Sequence, residues 1–206
     1  MKLLIPIFTI GLSLAAVFGQ NTLEIALKHG DKREADTKEQ LQRLLKRYDV
    51  AKWTFTNSIV IDEQTLPHSH PVLSLHAQYL RDDELLLSTF VHEQLHWFLA
   101  SQQRGASTQQ AVKELQRVFP AAPTKPPEGS DGEFSTYQHM LVCFLEYQAD
   151  QELLGELKAR QVMEFWASHH YTWVYKMVLE RGHDIETVIT KYNLTLDAPP
   201  QRTNTR

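Results

Sequence analysis

The sequence has a single cysteine, Cys143, among 206 residues. No intramolecular disulfide can therefore form, and the fold has to be held by its core, or by its core together with a metal ion. The hydrophobic share of 42% and the charged share of 22% are typical of an ordered globular protein. A hydrophobic core of ordinary size is the expected basis of stability.

Positive charge is not in excess. The chain has 21 Lys and Arg against 25 Asp and Glu, which gives a formal net charge of −4. The sequence contains no basic stripe of the kind that follows a nucleic-acid backbone. We therefore expect no nucleic-acid partner.

Long hydrophobic runs are also lacking, apart from one at the start of the chain. Residues 3–18 are mostly apolar and follow Lys2, but the run is short for a membrane span and contains Pro6. This pattern predicts a signal peptide over residues 1–19. The expected location is secreted or periplasmic, with no stable membrane insertion after cleavage, and an uncleaved membrane anchor is the alternative. A domain without disulfides fits a bacterial envelope better than an animal extracellular space.

The remainder, residues 20–206, is predicted to form one domain of the α+β class. The helices expected from apolar periodicity and capping residues cover about residues 36–48, 82–103, 107–119, 133–154, 156–181 and 185–192. Strand candidates lie at 53–61 and 72–79. The segment 121–132, rich in Pro and Gly, is predicted to be a linker or surface loop. It separates a first part that holds the strands from a helical part over 133–196.

Residues 92–96 read His-Glu-Gln-Leu-His, the HExxH motif, inside the helix predicted over 82–103. Spacing i, i+4 puts both imidazoles on one face, where they can bind one Zn²⁺. Glu93 can then take a proton from water and pass it to a leaving amine. The rest of this helix is apolar on nearly all sides, and burying such polar groups without a role would be costly. The motif predicts a hydrolytic zinc site.

A di-iron centre is a second interpretation of the same residues. Glu93 and His96 are spaced as ExxH, and Glu180 and His183 repeat that spacing. A ferritin-like site needs four long helices, however, and the predicted strands have no place in such a bundle. The zinc interpretation is preferred.

Glu146 and Asp150 form an ExxxD pair on the helix after the 121–132 loop. Together with the upstream HExxH, this pair resembles the gluzincin family of zinc metallopeptidases over about residues 85–150. The resemblance implies that Glu146 is the third zinc ligand and that Asp150 orients a zinc-binding histidine. It also implies a reduced zincin fold, in which a small β-sheet covers a buried active-site helix and a helical half follows.

The sequence offers a rival third ligand on the same helix. His139, Cys143, Glu146 and Asp150 follow i, i+4, i+7, i+11, so they form one stripe, which is predicted to face the zinc. His139 and Glu146 are about 10 Å apart along a straight helix, so both are not expected to bind one ion. Cys143 is expected to be a small core residue.

The resemblance further implies hydrolysis of a peptide or protein substrate. Zincins use a His, Tyr or Arg to stabilise the oxyanion of the tetrahedral intermediate. The candidates here are Tyr171 first, then His170 and Tyr175, although aromatic packing along a helix explains them equally well. Three further histidines are expected at the surface, with a place in the lining of the cleft or the binding of an additional metal ion as the alternatives: His68, His70 and His76.

Some features depart from the gluzincin pattern. The chain is short, and no substrate-strand motif of the Asn-Ala-x-x-Trp type is present. A catalytically inactive zinc-binding or scaffolding protein with the same fold is therefore the alternative function. Glu93 favours the enzyme, because a structural zinc site does not need that acid.

Overall fold

A computed structural model describes residues 23–196. Within this range the chain forms three strands and six α-helices: β1 Glu24–Leu27, β2 Ser58–Ile61, β3 Leu73–Leu75, α1 Lys32–Arg47, α2 Asp83–Ala100, α3 Gly105–Val118, α4 Glu133–Leu154, α5 Glu156–Trp166 and α6 Thr172–Lys191. The combination of a small sheet with a largely helical second half agrees with the prediction. The signal peptide predicted over 1–19 lies outside the described residues. Among the helices described here, none is long and apolar enough to cross a membrane.

The sheet has the order β1-β2-β3, and both neighbouring pairs are parallel. Helix α1 connects β1 to β2 and begins earlier than predicted, because Asp31 caps it by accepting a hydrogen bond from the amide of Glu34 at 3.0 Å. Strand β1 was not predicted. It has four residues, of which only Ile25 is buried, so its sequence carries little of the apolar pattern that identifies a strand.

The connection between β2 and β3, residues 62–72, runs back along the sheet. Because β3 is parallel to β2, the chain has to return over the length of the strand before it can pair. His68 exchanges two backbone hydrogen bonds with Ser74 of β3, at 3.2 and 2.8 Å, in an antiparallel bridge. Both strands are shorter than predicted, since 3-10 helices take up Ala51–Trp53 and Ala77–Tyr79.

Helix α2 occupies the centre of the domain, as its sequence predicts. The side chain of Asp82, the residue before the helix, caps its first turn. Of the 18 residues of α2, 13 are buried. It packs against α1, α3, α4, α5 and β3. Helix α4, which is almost as buried, lies against α2 on one side and against α3, α5 and α6 on the others. The two helices that carry the candidate ligands therefore face each other in the core.

The prediction of a single helix over 156–181 is wrong, because the helical structure is interrupted between α5 and α6. Helix α5 ends at Trp166, and Tyr171, the residue before α6, adopts a left-handed conformation with φ 50° and ψ 37°. The next two amides, of Thr172 and Trp173, donate to carbonyl oxygens of the 121–132 loop at 2.9 and 3.1 Å. That loop is therefore packed against the start of α6 and is not a free linker.

Gly129 sets the path of this loop. A β-carbon at this position would lie 1.9 Å from the carbonyl oxygen of Pro123 and 2.9 Å from the hydroxyl of Thr136. We expect Gly129→Ala to lower the free energy of unfolding by about 1–3 kcal/mol, because the backbone has to move to accept the methyl group. The matched control is Gly105→Ala, where a β-carbon has no neighbour within 4 Å. Urea denaturation of both variants tests this, and equal stabilities would contradict it.

Candidate metal centre

Three histidines meet between α2 and α4. One ring nitrogen from each of His92, His96 and His139 lies within 4.8 Å of the other two. The ring centroids are 5.1 Å apart for His92 and His96, 5.6 Å for His92 and His139, and 4.9 Å for His96 and His139. Two of the three come from one turn of α2, and the third comes from the facing helix. This group could hold a metal ion.

The His92 ring is oriented by a buried carboxylate. Its Nδ1 donates to Oε2 of Glu146 at 2.8 Å, and Glu146 also accepts hydrogen bonds from Ser88 at 2.5 Å and from the Tyr175 hydroxyl at 2.9 Å. A metal ion would bind the other ring nitrogen, Nε2, which has a free lone pair only when the ring is neutral. Burial opposes charge on this ring, but the negative charge of Glu146 raises the pKa of His92 well above its usual value, so metal binding has to displace a proton from Nε2. A carboxylate in this position fixes the ring and raises its basicity as a ligand.

The His139 ring is held in the same way by the backbone. Its Nδ1 lies 2.7 Å from the carbonyl oxygen of Ser135, and a carbonyl can only accept, so Nδ1 is protonated and Nε2 is free. Burial, with the positive charge of His92, lowers the pKa of His139 to about 3. Burial likewise holds the pKa of His96 well below its usual value. Both rings are neutral at pH 7, as metal ligands have to be.

The predicted third ligand, Glu146, lies on the far side of His92. Its carboxylate forms a second group with His92 and Cys143, and that group does not include His96. The group that contains both histidines of the motif includes His139 instead. Glu146 thus makes a hydrogen bond to His92, a contact of the kind that the resemblance implied for Asp150. The geometry favours the rival ligand.

Asp150 and Cys143 are both fully buried on α4. Burial, reinforced by the negative charge of Glu146, raises the pKa of Asp150 well above its usual value. Cys143 is a free cysteine in the core, and burial also raises the pKa of its thiol.

Glu93 is buried at the wall of a cavity of about 630 Å³ that also exposes the three histidines. Burial raises the pKa of Glu93 to about 7, although positive charge on His92 and His68 opposes the shift. A carboxyl group with a pKa near 7 can both accept and release a proton at neutral pH.

The predicted oxyanion-stabilising residues differ in their surroundings. Tyr171 and His170 line the cavity, and the Tyr171 ring lies 4.2 Å from the His139 ring between centroids. A left-handed backbone at a residue other than Gly costs roughly 1–3 kcal/mol and is often retained at functional sites. The Tyr175 hydroxyl donates to Glu146 and is therefore already engaged.

Two further residues of the motif helix, Gln94 and Trp97, hold the walls of the site. The Gln94 amide accepts from the backbone N–H groups of Phe55 and Thr56 at 2.7 and 2.8 Å, and donates to the Thr56 carbonyl at 2.9 Å. The Trp97 indole donates to the carbonyl of Ser69 at 2.8 Å. Helix α2 thus carries the histidines on one side and is hydrogen-bonded to the segment before β2 and to the 62–72 connection on the others.

The three histidines predicted at the surface have separate roles. His68 is exposed but lines the cavity on the side of the 62–72 connection. His70 stacks on Trp97 with centroids 4.2 Å apart, and His76 accepts from the amide of Gln78 at 2.8 Å. Of the three, only His68 lies in the lining of this cavity, which was the alternative to a surface position.

Ser88 is the buried contact that sequence reasoning missed. It lies four residues before His92, so it shares the same face of α2. Its hydroxyl donates to Glu146 and accepts from the Trp166 indole at 3.0 Å. A small hydroxyl residue one turn before the first histidine, in a helix otherwise apolar, was the available signal.

The residues of the di-iron interpretation do not come together. Glu180 and His183 lie on α6 with side chains 56% and 91% exposed. Arg181, between them, departs from helical geometry with φ −132° and ψ 28°. No second ExxH pair contributes to the cluster in the part of the chain described.

The contribution of His139 to the stability of the metal-free protein is expected to fall as the pH is lowered from about 6.5 towards 3. The folded-state pKa of His139 is about 3, below the usual histidine value of about 6.5, so the unfolded chain binds more protons in this window and acid favours unfolding. For His139 alone the expected loss is a few kcal/mol. His139→Gln should therefore show a shallower dependence in urea denaturation at pH 7 and pH 4.5. If the stability of His139→Gln depends on pH as strongly as that of the wild type, the burial of a neutral His139 ring is contradicted.

Comparisons of the chain with protein-family models, with curated proteins and with solved structures found no match.

Proposed function

We propose that this chain is a zinc-dependent peptidase with His92, His96 and His139 as metal ligands and Glu93 as general base and acid. The supporting observation is that one ring nitrogen from each histidine meets in a single group, and that Glu93 lines the same cavity. This combination provides a metal site and a proton carrier next to space for a substrate.

The donor set fits zinc. Three neutral imidazoles are a known ligand set for catalytic Zn²⁺, which keeps a fourth position open. Here that fourth position is expected to face the cavity that all three rings line. Oxygen-preferring ions such as Mg²⁺ and Ca²⁺ are not suited to three nitrogen donors.

The second group, formed by His92, Cys143 and Glu146, suits a metal less well. Both Glu146 oxygens already accept hydrogen bonds from buried donors, and His96 would have no role. We therefore assign Glu146 to the orientation of His92. This assignment keeps the HExxH chemistry of the gluzincin resemblance but changes the third ligand and the orienting carboxylate.

A zinc ion bound by the three histidines would supply a Lewis acid that polarises the scissile carbonyl and makes water a better nucleophile. As the oxygen of the attacking water bonds to the carbonyl carbon, Glu93 takes one proton from that water. Glu93 then passes that proton to the leaving nitrogen as the carbon–nitrogen bond breaks. Tyr171 or His170 stabilises the negative charge that develops on the carbonyl oxygen.

The test is metal-dependent cleavage of a peptide library. The purified chain should bind close to one Zn²⁺ per molecule and should cleave some library members. A chelator should abolish cleavage, and added Zn²⁺ should restore it. Zinc binding without any cleavage would instead support the inactive scaffolding alternative, and an absence of zinc binding would contradict both.

A further inference from the structure

No side chain with a permanent positive charge lines the cavity beside the three histidines. All of its lining residues belong to the described part of the chain, and they include no Lys and no Arg. A carboxypeptidase has to pair the terminal carboxylate of its substrate, because burying an unpaired carboxylate is strongly unfavourable. In the proposed reaction the zinc ion and its three ligands act on the scissile carbonyl, so this cavity offers only its other histidines, neutral hydrogen-bonding groups and aromatic rings for that purpose.

The cavity also has no free negative charge for a substrate ammonium group. Its carboxyl groups are those of Glu93 and Glu146. Both oxygens of Glu146 accept hydrogen bonds from Ser88, Tyr175 and His92, and Glu93 adjoins the first ligand, where the proposed reaction needs it. An aminopeptidase would need a further carboxylate to bind the chain terminus. A substrate with either end inside the cavity would leave a charge unpaired.

One wall of the cavity is aromatic and rigid. Trp166 is 2% exposed, and its ring lies against Tyr79 at 5.2 Å and against His170 at 4.8 Å between centroids. Leu66, which also lines the cavity, is 76% exposed and is followed by Pro67. Aromatic and apolar walls with a few polar groups bind uncharged, apolar side chains best.

We infer that the cavity binds an internal segment of a peptide chain, with neutral residues that include a large apolar or aromatic side chain beside the scissile bond. This inference rests on the proposed function and makes the enzyme an endopeptidase. The volume of about 630 Å³ is in the range of roughly 300–1,000 Å³ that holds a compact ligand, so only a few residues enter.

The experiment measures binding separately from cleavage. The Glu93→Gln variant, loaded with Zn²⁺, is titrated with three tetrapeptides of one Phe-containing sequence. The first is acetylated and amidated, the second has a free carboxylate, and the third has a free amino group. Calorimetry should give a dissociation constant at least 10-fold lower for the capped peptide than for either other peptide. Equal binding, or tighter binding of a peptide with a free end, would overturn the inference.

A positive charge introduced into the cavity should reverse the preference, in favour of the peptide with a free carboxylate. Gln78 lines the cavity and is exposed, so Gln78→Arg should shift preference at least 10-fold towards the free carboxylate. The matched control is Gln109→Arg, which adds the same charge on exposed α3 and should leave the preference unchanged. An unchanged peptide preference in Gln78→Arg would contradict the proposal that the substrate binds beside Gln78.

Cleavage by the wild-type protein separates this inference from the proposed function. If the capped peptide binds best but no peptide is cleaved, the peptidase proposal fails, and the cavity's preference for uncharged segments stands. If the wild type cleaves peptides only at their free ends, the peptidase proposal stands, and the internal-segment inference fails.

Discussion

Replacing Glu93 by glutamine is expected to leave the zinc in place and to lower turnover by about 10²–10⁴-fold, the usual contribution of general acid–base catalysis. Glutamine has nearly the same shape and keeps the polar contact with the cavity, but it cannot accept a proton from water. Glu93 does not belong to the group formed by the three histidines. Its replacement should therefore leave the affinity for zinc unchanged. Zinc content and steady-state cleavage of the best library peptide are the two measurements.

A matched control for this variant is Glu164→Gln on α5, whose side chain is 54% exposed and lies outside the cavity. It should keep both zinc and turnover. Retained peptidase activity in Glu93→Gln would contradict the assigned mechanism. Loss of zinc in Glu93→Gln would instead indicate that the acid is a ligand.

Replacing His139 by alanine is expected to remove most of the bound zinc, because it deletes one of three ligands. Glu146→Gln should have a smaller effect. It weakens the orientation of His92 without removing a donor, and changes of that kind reduce metal affinity by roughly 10–100-fold. The loss in His139→Ala should exceed this. Competition with a chromogenic chelator at pH 7.5 gives both affinities.

The control for general effects of removing a histidine is His183→Ala, since that side chain is 91% exposed on α6. It should bind zinc as the wild type does. The original sequence prediction expects the reverse order, with zinc lost in Glu146→Ala and kept in His139→Ala. Circular dichroism of each variant excludes unfolding as the cause. The reverse order in folded variants would restore Glu146 as the ligand.

The central helices could be predicted from the sequence because their signals are local. Helix α2 is apolar on nearly every side and starts at a capping aspartate, and α4 has the predicted bounds, Glu133–Leu154. The break before α6 could not be predicted in this way. The left-handed backbone at Tyr171 is accompanied by hydrogen bonds to a loop about 45 residues earlier in the sequence, and no local pattern reports such a contact.

The residues of the candidate site, like the helices, could be predicted only where the sequence signal is local. His92, Glu93 and His96 lie within five residues of one helix, so the period of the helix alone places them together. The third ligand depends on how far α4 is shifted along α2, and sequence spacing does not fix that shift. His139 and Glu146 share one stripe two turns apart, and only the packed structure distinguishes the residue beside both histidines from the residue behind His92.

The most direct test of the proposed metal site is a crystal structure of the zinc-loaded protein, with anomalous data collected at the zinc absorption edge. We expect one anomalous peak at about 2.0–2.1 Å from a ring nitrogen of each of His92, His96 and His139. Glu146 should remain hydrogen-bonded to the other ring nitrogen of His92. A zinc ion bonded to a Glu146 oxygen in place of His139, or an empty histidine cluster in zinc-saturated crystals, would contradict the proposal.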